Sequence, residues 1–202
     1  MSIPPKLRQP QTLVFQAEAY LNQLQTLIEQ IDFSSFKRII FISSTAVYAD
    51  AGVMTEQDAV NDSPKQQVLL QAEQLFLAYP QTVVLRFAGL IGPKRHPGRF
   101  FAGKQNISGA NACVNLVHQA DCIGAVKLLL TRPMVSQVYN LVAPMHPTKE
   151  TFYTAACLHM GLAAPQFNET VVTDKQVDGS LITKELGFVY QFEDPLTMLD
   201  AC

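Results

Sequence analysis

An α/β fold with a mostly parallel sheet is what this sequence predicts, and three observations predict it. Short apolar runs rich in β-branched residues alternate with segments of helical period along the chain. One of them, "KRIIFIS" (37–43), is apolar without a break after two basic residues, the mark of a strand buried on both faces. The next helix is announced by Ser63 before Pro64, an N-cap followed by proline at the first helical position.

The elements then follow in order. From Leu13, apolar residues recur at Ala17, Tyr20, Leu21, Leu24, Leu27, Ile28 and Ile31, one face of a long helix. After the 37–43 strand comes a polar stretch, 49–63. The helix from Pro64 carries the stripe Val68, Leu69, Ala72, Leu75, Phe76 and Tyr79, and "TVVLRF" (82–87) is a second strand. Residues 88–111 hold five glycines and two prolines and read as loop. "ACVNLV" (112–117) reads as a strand, and 121–131 as a helix with Asp121 as its N-cap. "QVYNLV" (137–142) is a further strand, 148–160 a helix, and the tail from about 165 mixes short elements with polar loops. No internal repeat or low-complexity linker interrupts the 202 residues, which suit one domain with a real core.

Composition narrows the function classes. A net charge of −2 offers no global attraction for nucleic acid or anionic membrane. No apolar run approaches the ~18 residues that span a bilayer, and "MSIPPKLRQP" has no apolar core of a secretory signal. Cys113, Cys122, Cys157 and Cys202 form no Cys-x-x-Cys pair, so reduced thiols and a cytoplasmic location are expected. His146 and His159 lack partners at metal-ligand spacing, and no metal site is assigned.

Chemistry concentrates in two places. "FISSTAVYAD" (41–50) presents Ser43, Ser44 and Thr45 where a strand ends; they either line a site or satisfy backbone groups of a turn. Between Glu73 and Asp121 there is no acidic residue, yet Arg86, Lys94, Arg95, His96, Arg99 and Lys104 all occur. Such a basic loop in a mildly acidic chain is either an anion pocket or solvated surface whose cations pair elsewhere. "GRFFAGKQ" (98–105) approaches the phosphate-loop pattern but has Gln105 in place of the hydroxyl that holds magnesium, and two phenylalanines that suit packing better.

The order of long helix, buried strand, Ser-Ser-Thr, "VY" and capped helix resembles the extended short-chain dehydrogenase/reductases, the NAD-dependent epimerase/dehydratase family. The matching stretches are "RIIFISSTAVYAD" (38–50), "VVLRFAGLIGP" (83–93), "VNLVHQADCIGAV" (114–126) and "VYNLVAP" (138–144). "PGRFFAGK" (97–104) and "DGSLITKELGFVY" (178–190) look like its bacterial YeeZ-like branch. The resemblance implies a partial Rossmann-like parallel sheet with a small C-terminal α/β substrate subdomain, about 88–111 and 145–202, within one domain of 1–202. It implies NAD or NADP as cofactor, near Ser43, Ser44 and Thr45, and a small anionic substrate of nucleotide-sugar type. Ser44 matches the catalytic serine/threonine position, where it would hydrogen-bond a substrate oxygen. Arg86, Arg95, His96, Arg99 and His118 fall on the substrate side.

Two family features are missing. None of the six tyrosines has lysine four residues later, so no lysine can tune a tyrosine for proton transfer. Aligning Glu73 with the acid that follows that pair puts Lys65 at the tyrosine position and Leu69 at the lysine position. No two of the ten glycines are spaced as Gly-x-Gly, which the dinucleotide fingerprint needs. "MSIPP" reads as the end of a strand running into the first helix, so roughly 60 to 80 residues of earlier βα units are expected upstream. The expectations are weak dinucleotide binding by this chain and, from an unpaired sheet edge, a homodimer or another partner. The rival reading is a non-catalytic module that keeps the cleft to hold a ligand or partner.

Overall fold

The computed structural model describes residues 13–202, with side chains from residue 16 onward; the expected strand end at "MSIPP" lies outside them. The chain runs through helix α1 (Leu13–Gln30), strands β1 (Ile39–Ser44) and β2 (Gly52–Met54), and helix α2 (Pro64–Leu77). Strands β3 (Thr82–Phe87) and β4 (Gly89–Ile91) come next, then the one-turn helix α3 (Gly98–Phe101), strand β5 (Leu116–His118) and helix α4 (Gln119–Thr131). Strand β6 (Val138–Leu141), helix α5 (Lys149–His159), strand β7 (Lys175–Val177) and helix α6 (Leu181–Leu186) complete the set, before a 3-10 turn at Thr197–Ala201.

The sheet forms because β-branched and apolar residues alternate with helices long enough to cross back over it. β1, β3 and β6 make a parallel sheet in the order β1-β3-β6, with Ser43 opposite Arg86 and Arg86 opposite Asn140. β3 lies between the other two, and Val83, Val84 and Leu85 are fully buried. Each such side chain contributes about 1.5–3 kcal/mol on leaving water, so Leu85→Ala is the type of change that would cost about 2–5 kcal/mol. α1 buries Ala17, Tyr20 and Leu24, three positions of one helical face, in the same core as Val68, Leu69, Ala72 and Phe76 of α2. Phe76 stacks on Phe41 of β1 at 4.6 Å between centroids.

The α2 start is as expected and complete. The Ser63 hydroxyl accepts from the Gln66 amide at 3.3 Å, and the Gln66 side chain accepts from the Ser63 amide at 2.9 Å. Two short parallel pairs, β2-β7 and β4-β5, extend the fold beyond the main sheet. A second, smaller cluster of buried residues, among them Ile91, Leu116, Phe152, Ala156 and Met198, sits under α5. Gly98 is where α3 meets α5: a Cβ there would lie 2.3 Å from the Ala156 carbonyl oxygen.

Four expectations are corrected. β1 is not buried on both faces: Ile42 is 44% exposed, and β1 has only β3 as a sheet partner among the described residues. The loop 88–111 contains β4 and α3, while the strand expected at 112–117 shrinks to Leu116–His118. The N-cap of α4 is His118, not Asp121, because β5 runs into α4 without a loop and the His118 ring reaches the Ala120 amide first, at 3.2 Å. Asp121 turns instead to the Gln191 amide at 2.6 Å.

Candidate functional site

β1 and β3 end side by side, Ser44 opposite Phe87, so Ser44 and the segment leading through β4 to the basic loop leave the sheet at its carboxyl end. In open α/β sheets this is the end at which ligands bind. Two polar constellations lie along this path, and they differ in kind.

The first is inside. Ser43 and Arg86 come together through Glu73 of α2: the Ser43 hydroxyl donates to Glu73 Oε1 at 2.5 Å. The Arg86 guanidinium grips the same carboxylate with two bonds, Nε to Oε1 at 3.0 Å and Nη2 to Oε2 at 2.7 Å. Arg86 Nη1 also donates to the Tyr48 hydroxyl at 2.8 Å and to the Glu56 carbonyl at 2.9 Å. Tyr48 in turn donates to Asn140 Oδ1 at 2.6 Å, and the Glu56 carboxylate accepts from the Asn140 amide at 2.8 Å. Glu73 is 1% and Arg86 4% exposed, so neither side chain faces a ligand from solvent.

Electrostatics follows from that burial. Burial works against the Arg86 charge, but the hydrogen bonds and field of Glu73 outweigh it, and the guanidinium ends above its ordinary pKa. Burial raises the Tyr48 hydroxyl although Arg86 pulls the other way, and it raises the Glu56 carboxyl against its backbone hydrogen bonds. Tyr48 is thus held as a neutral donor.

The second constellation is the basic loop. Lys94 adopts a left-handed backbone at φ 67°, and Arg95 folds back, its Nε donating to the Leu90 carbonyl at 2.7 Å and its guanidinium lying 5.5 Å from the Phe100 ring centre. Phe101 packs on Tyr153 at 3.9 Å and carries the Lys104 ammonium over its ring, so "GRFFAGKQ" is a packed turn and not a phosphate cradle. Among the described residues no carboxylate lies within ion-pair distance of Lys94, Arg95, Arg99 or Lys104.

The remaining predicted residues separate. Ser44 is half-buried and its Oγ accepts from the Ala46 amide at 3.2 Å, capping a 3-10 turn, a bond that does not use its hydroxyl proton. Thr45 is buried in that turn. His118 is buried, tied to the Ala120 amide and to the Ala201 carbonyl at 3.3 Å. His96 is buried against His159 of α5, Nε2 to Nδ1 at 3.1 Å, a partner 63 residues away that no local pattern signals. A cavity of about 510 Å³ lies elsewhere, lined by Val53, Pro144, His146, Asp178, Phe188 and Tyr190 among others, and none of the predicted site residues lines it.

On the family's proton-transfer positions, Lys65 is exposed at the start of α2 and Leu69 is 5% exposed in the core. Among the described residues no group of three or more histidine, cysteine or acidic side chains is arranged to hold a metal, and no helix is long and apolar enough to cross a membrane.

No protein-family model matches the chain. Over 187 residues, 90% of this chain and 68% of the relative, it is 45% identical to protein YeeZ of Escherichia coli K12. The fold is similar to MoeE5, solved with UDP-glucose and NAD, at a TM-score of 0.78 and 22% identity over 100% of this chain and 75% of that one. It is similar also to human epimerase family protein SDR39U1, solved with NADPH, at 0.75 and 18% identity over 98% and 77%. At these identities the two solved structures share the Rossmann-like fold and nothing further follows from them alone.

Proposed function

Because this chain belongs to the YeeZ-like branch of the extended short-chain dehydrogenase/reductases, the NAD-dependent epimerase/dehydratase type, we propose that it binds a nucleotide-sugar-like anion at the carboxyl ends of β1 and β3. One observation carries the reading: the cations of the loop 94–104 lack carboxylate partners among the described residues, while the nearby Arg86 is fully paired. Arg95 and Arg99 then take the phosphate oxygens, since a guanidinium fork meets two of them at once. Ser44 donates its free hydroxyl proton to the sugar end of the ligand. Ser43, Arg86 and Tyr48 act behind this surface, holding the strand ends in register, and His96 supports the loop from below.

The N-termini of the three helices α2, α4 and α5 do not fit the pyrophosphate of a dinucleotide. Such a group needs an open helix N-terminus approached through glycines. The N-termini of α2, α4 and α5 are each filled by the chain's own side chains, Ser63, His118 and Thr148. No hydride step is therefore assigned to these residues. A non-catalytic binding role is favoured by Lys65 and Leu69, which leave α2 without a tyrosine–lysine pair.

Calorimetric titration with UDP-glucose tests the reading. The chain is expected to bind it, and the Arg95→Ala/Arg99→Ala variant to bind several-fold more weakly. Equal affinity in the double variant makes the loop solvated surface. Turnover of UDP-glucose with added NAD would overturn the non-catalytic role.

A further inference from the structure

His96, His159 and Asp200 form a chain of hydrogen bonds whose direction is fixed at both ends. The Gly98 amide donates to His96 Nδ1 at 3.1 Å. That nitrogen therefore has no proton, and a neutral His96 must carry its proton on Nε2. From there it donates to His159 Nδ1 at 3.1 Å. His159 then carries its own proton on Nε2, which donates to the Asp200 carboxylate at 3.1 Å. The rings are nearly parallel, 13° apart with centroids 5.2 Å apart. Two protons fill this chain, and a third has no place in it. A proton added to His96 Nδ1 collides with the Gly98 amide; one added between the rings sets N–H against N–H.

The chain joins three parts of the fold. His96 and Gly98 belong to the basic loop, His159 is in the last turn of α5, and Asp200 is in the C-terminal 3-10 turn. Gly98 is held on its other side as well, its carbonyl accepting from the Cys157 thiol at 3.3 Å. It abuts the α5 backbone so closely that no Cβ fits. Loss of the His96 bond thus removes one of the two hydrogen bonds that tie Gly98, at the start of α3, between Arg95 and Arg99.

We propose that His96 and His159 are a pH-sensitive latch that holds the basic loop in its ligand-binding shape when both rings are neutral and releases it when either gains a proton. The charged groups that act on the pair are Arg99 on α3, beside His96, and Asp200 in the C-terminal segment, bonded to His159; the Cys157 thiol of α5 bonds the adjoining Gly98 carbonyl. His118 approaches the same segment through the Ala201 carbonyl. Burial, with His159 and Arg99 adding to it, holds the His96 imidazole below its usual pKa, which keeps the latch closed near neutrality. Asp200, which accepts from His159 Nε2, is largely exposed. The ligand consequence rests on the nucleotide-sugar reading above; the latch itself does not.

Nuclear magnetic resonance on the full chain tests it, following the histidine ring nitrogens and the backbone amides from about pH 8 to about pH 5. The expected result at the high end is a proton on Nε2 of both rings. On acidification the Gly98 amide should shift together with them. Amide protection across 98–102, corrected for the intrinsic pH dependence of exchange, should fall about fivefold, the worth of one net hydrogen bond. In His159→Gln the titration of His96 should no longer follow that of a second ring, and in Asp200→Asn the pair should remain coupled. Protection that is unchanged while both rings become charged overturns the latch, as does a proton on His96 Nδ1 at high pH. UDP-glucose, whose diphosphate does not titrate in this range, should bind several-fold more weakly at the acid end. If it binds at no pH while the amide signature persists, the loop's ligand role fails and the latch stands.

Discussion

The buried network around Glu73 and the basic loop of residues 94–104 use the same residue types to opposite ends. Arg86 and Arg95 are nine residues apart in one acid-free stretch of sequence. Arg86 spends Nε, Nη1 and Nη2 on Glu73, Tyr48 and the Glu56 carbonyl and is closed to solvent. The Arg95 side chain makes one hydrogen bond, to the Leu90 carbonyl, and rests on Phe100 without a carboxylate among the described residues. What distinguishes them is α2: the helix places a carboxylate over the end of β3 and nothing comparable over the loop. Removing a partner from the first region should therefore damage folding, and removing charge from the second should damage binding.

The largest effect is expected at Glu73. Glu73→Ala leaves the Arg86 charge buried without its counter-ion, which costs about 3–5 kcal/mol. Urea unfolding should show this as a lowered midpoint with little change in slope. Replacing Glu73 and Arg86 together by leucine and methionine should recover much of the loss, because no unpaired charge remains. A double variant no more stable than Glu73→Ala would show that the bonds from Tyr48 and Ser43 matter more than the charge pair.

How much of this contrast was legible beforehand depends on the range of the interactions. The Ser63–Gln66 cap and the strand cores are local, three residues apart or periodic, and a sequence shows them directly. Arg86 was visible as a cation near the substrate side, but its partner Glu73 lies on another element, so nothing local told it from Arg95. Asp121 and His118 could each cap α4; the absence of a loop after β5 decided it, a matter of geometry that the pattern does not carry. His159 looked unpartnered because its partner, His96, approaches only when α3 packs on α5. The exposed Ile42 of β1 was hidden by a rule that reads any continuous apolar run as doubly buried.

Asp121 supplies the next effect. One of its oxygens accepts from the Gln191 amide, and the other, Oδ2, is buried with no partner. Burial raises its pKa, against hydrogen bonds from the Gln191 and Phe192 backbone and the field of His118. A carboxyl whose folded pKa is raised holds its proton more tightly in the folded state. Its contribution to stability therefore falls as pH rises from the unfolded to the folded pKa. Asp121→Asn keeps the Gln191 bond and removes the buried charge, so it should be more stable than the parent at neutral pH, by on the order of 1 kcal/mol. That advantage should shrink as pH falls from the folded to the unfolded carboxyl pKa and change no further below it. Chemical denaturation at several pH values checks it, and a variant advantage that grows toward acid would reverse the assignment. Ser44→Ala should cost a similar or smaller amount, about 0.5–1 kcal/mol, through loss of the cap on the Ala46 amide. An additional loss of UDP-glucose affinity in that variant would place its hydroxyl on the ligand.

The smallest effect on folding is expected where the effect on binding is expected to be clear. Arg95→Ala/Arg99→Ala removes two cations that have no carboxylate to leave behind, so no buried charge is orphaned and the Coulomb term is that of exposed groups in water. Arg95 does lose its bond to the Leu90 carbonyl and its contact with Phe100, both at the surface, and solvent can take over the carbonyl. Surface changes of this type stay within about 0.5 kcal/mol. Equilibrium unfolding of the double variant should accordingly overlay that of the parent, while its affinity for UDP-glucose drops several-fold. Raising the salt concentration should weaken parental binding more than that of the variant, because the parent has more charge contacts to screen. A destabilisation approaching that of Glu73→Ala would mean that the loop, like the network, is built to hold the fold together, and the division between the two regions would not survive.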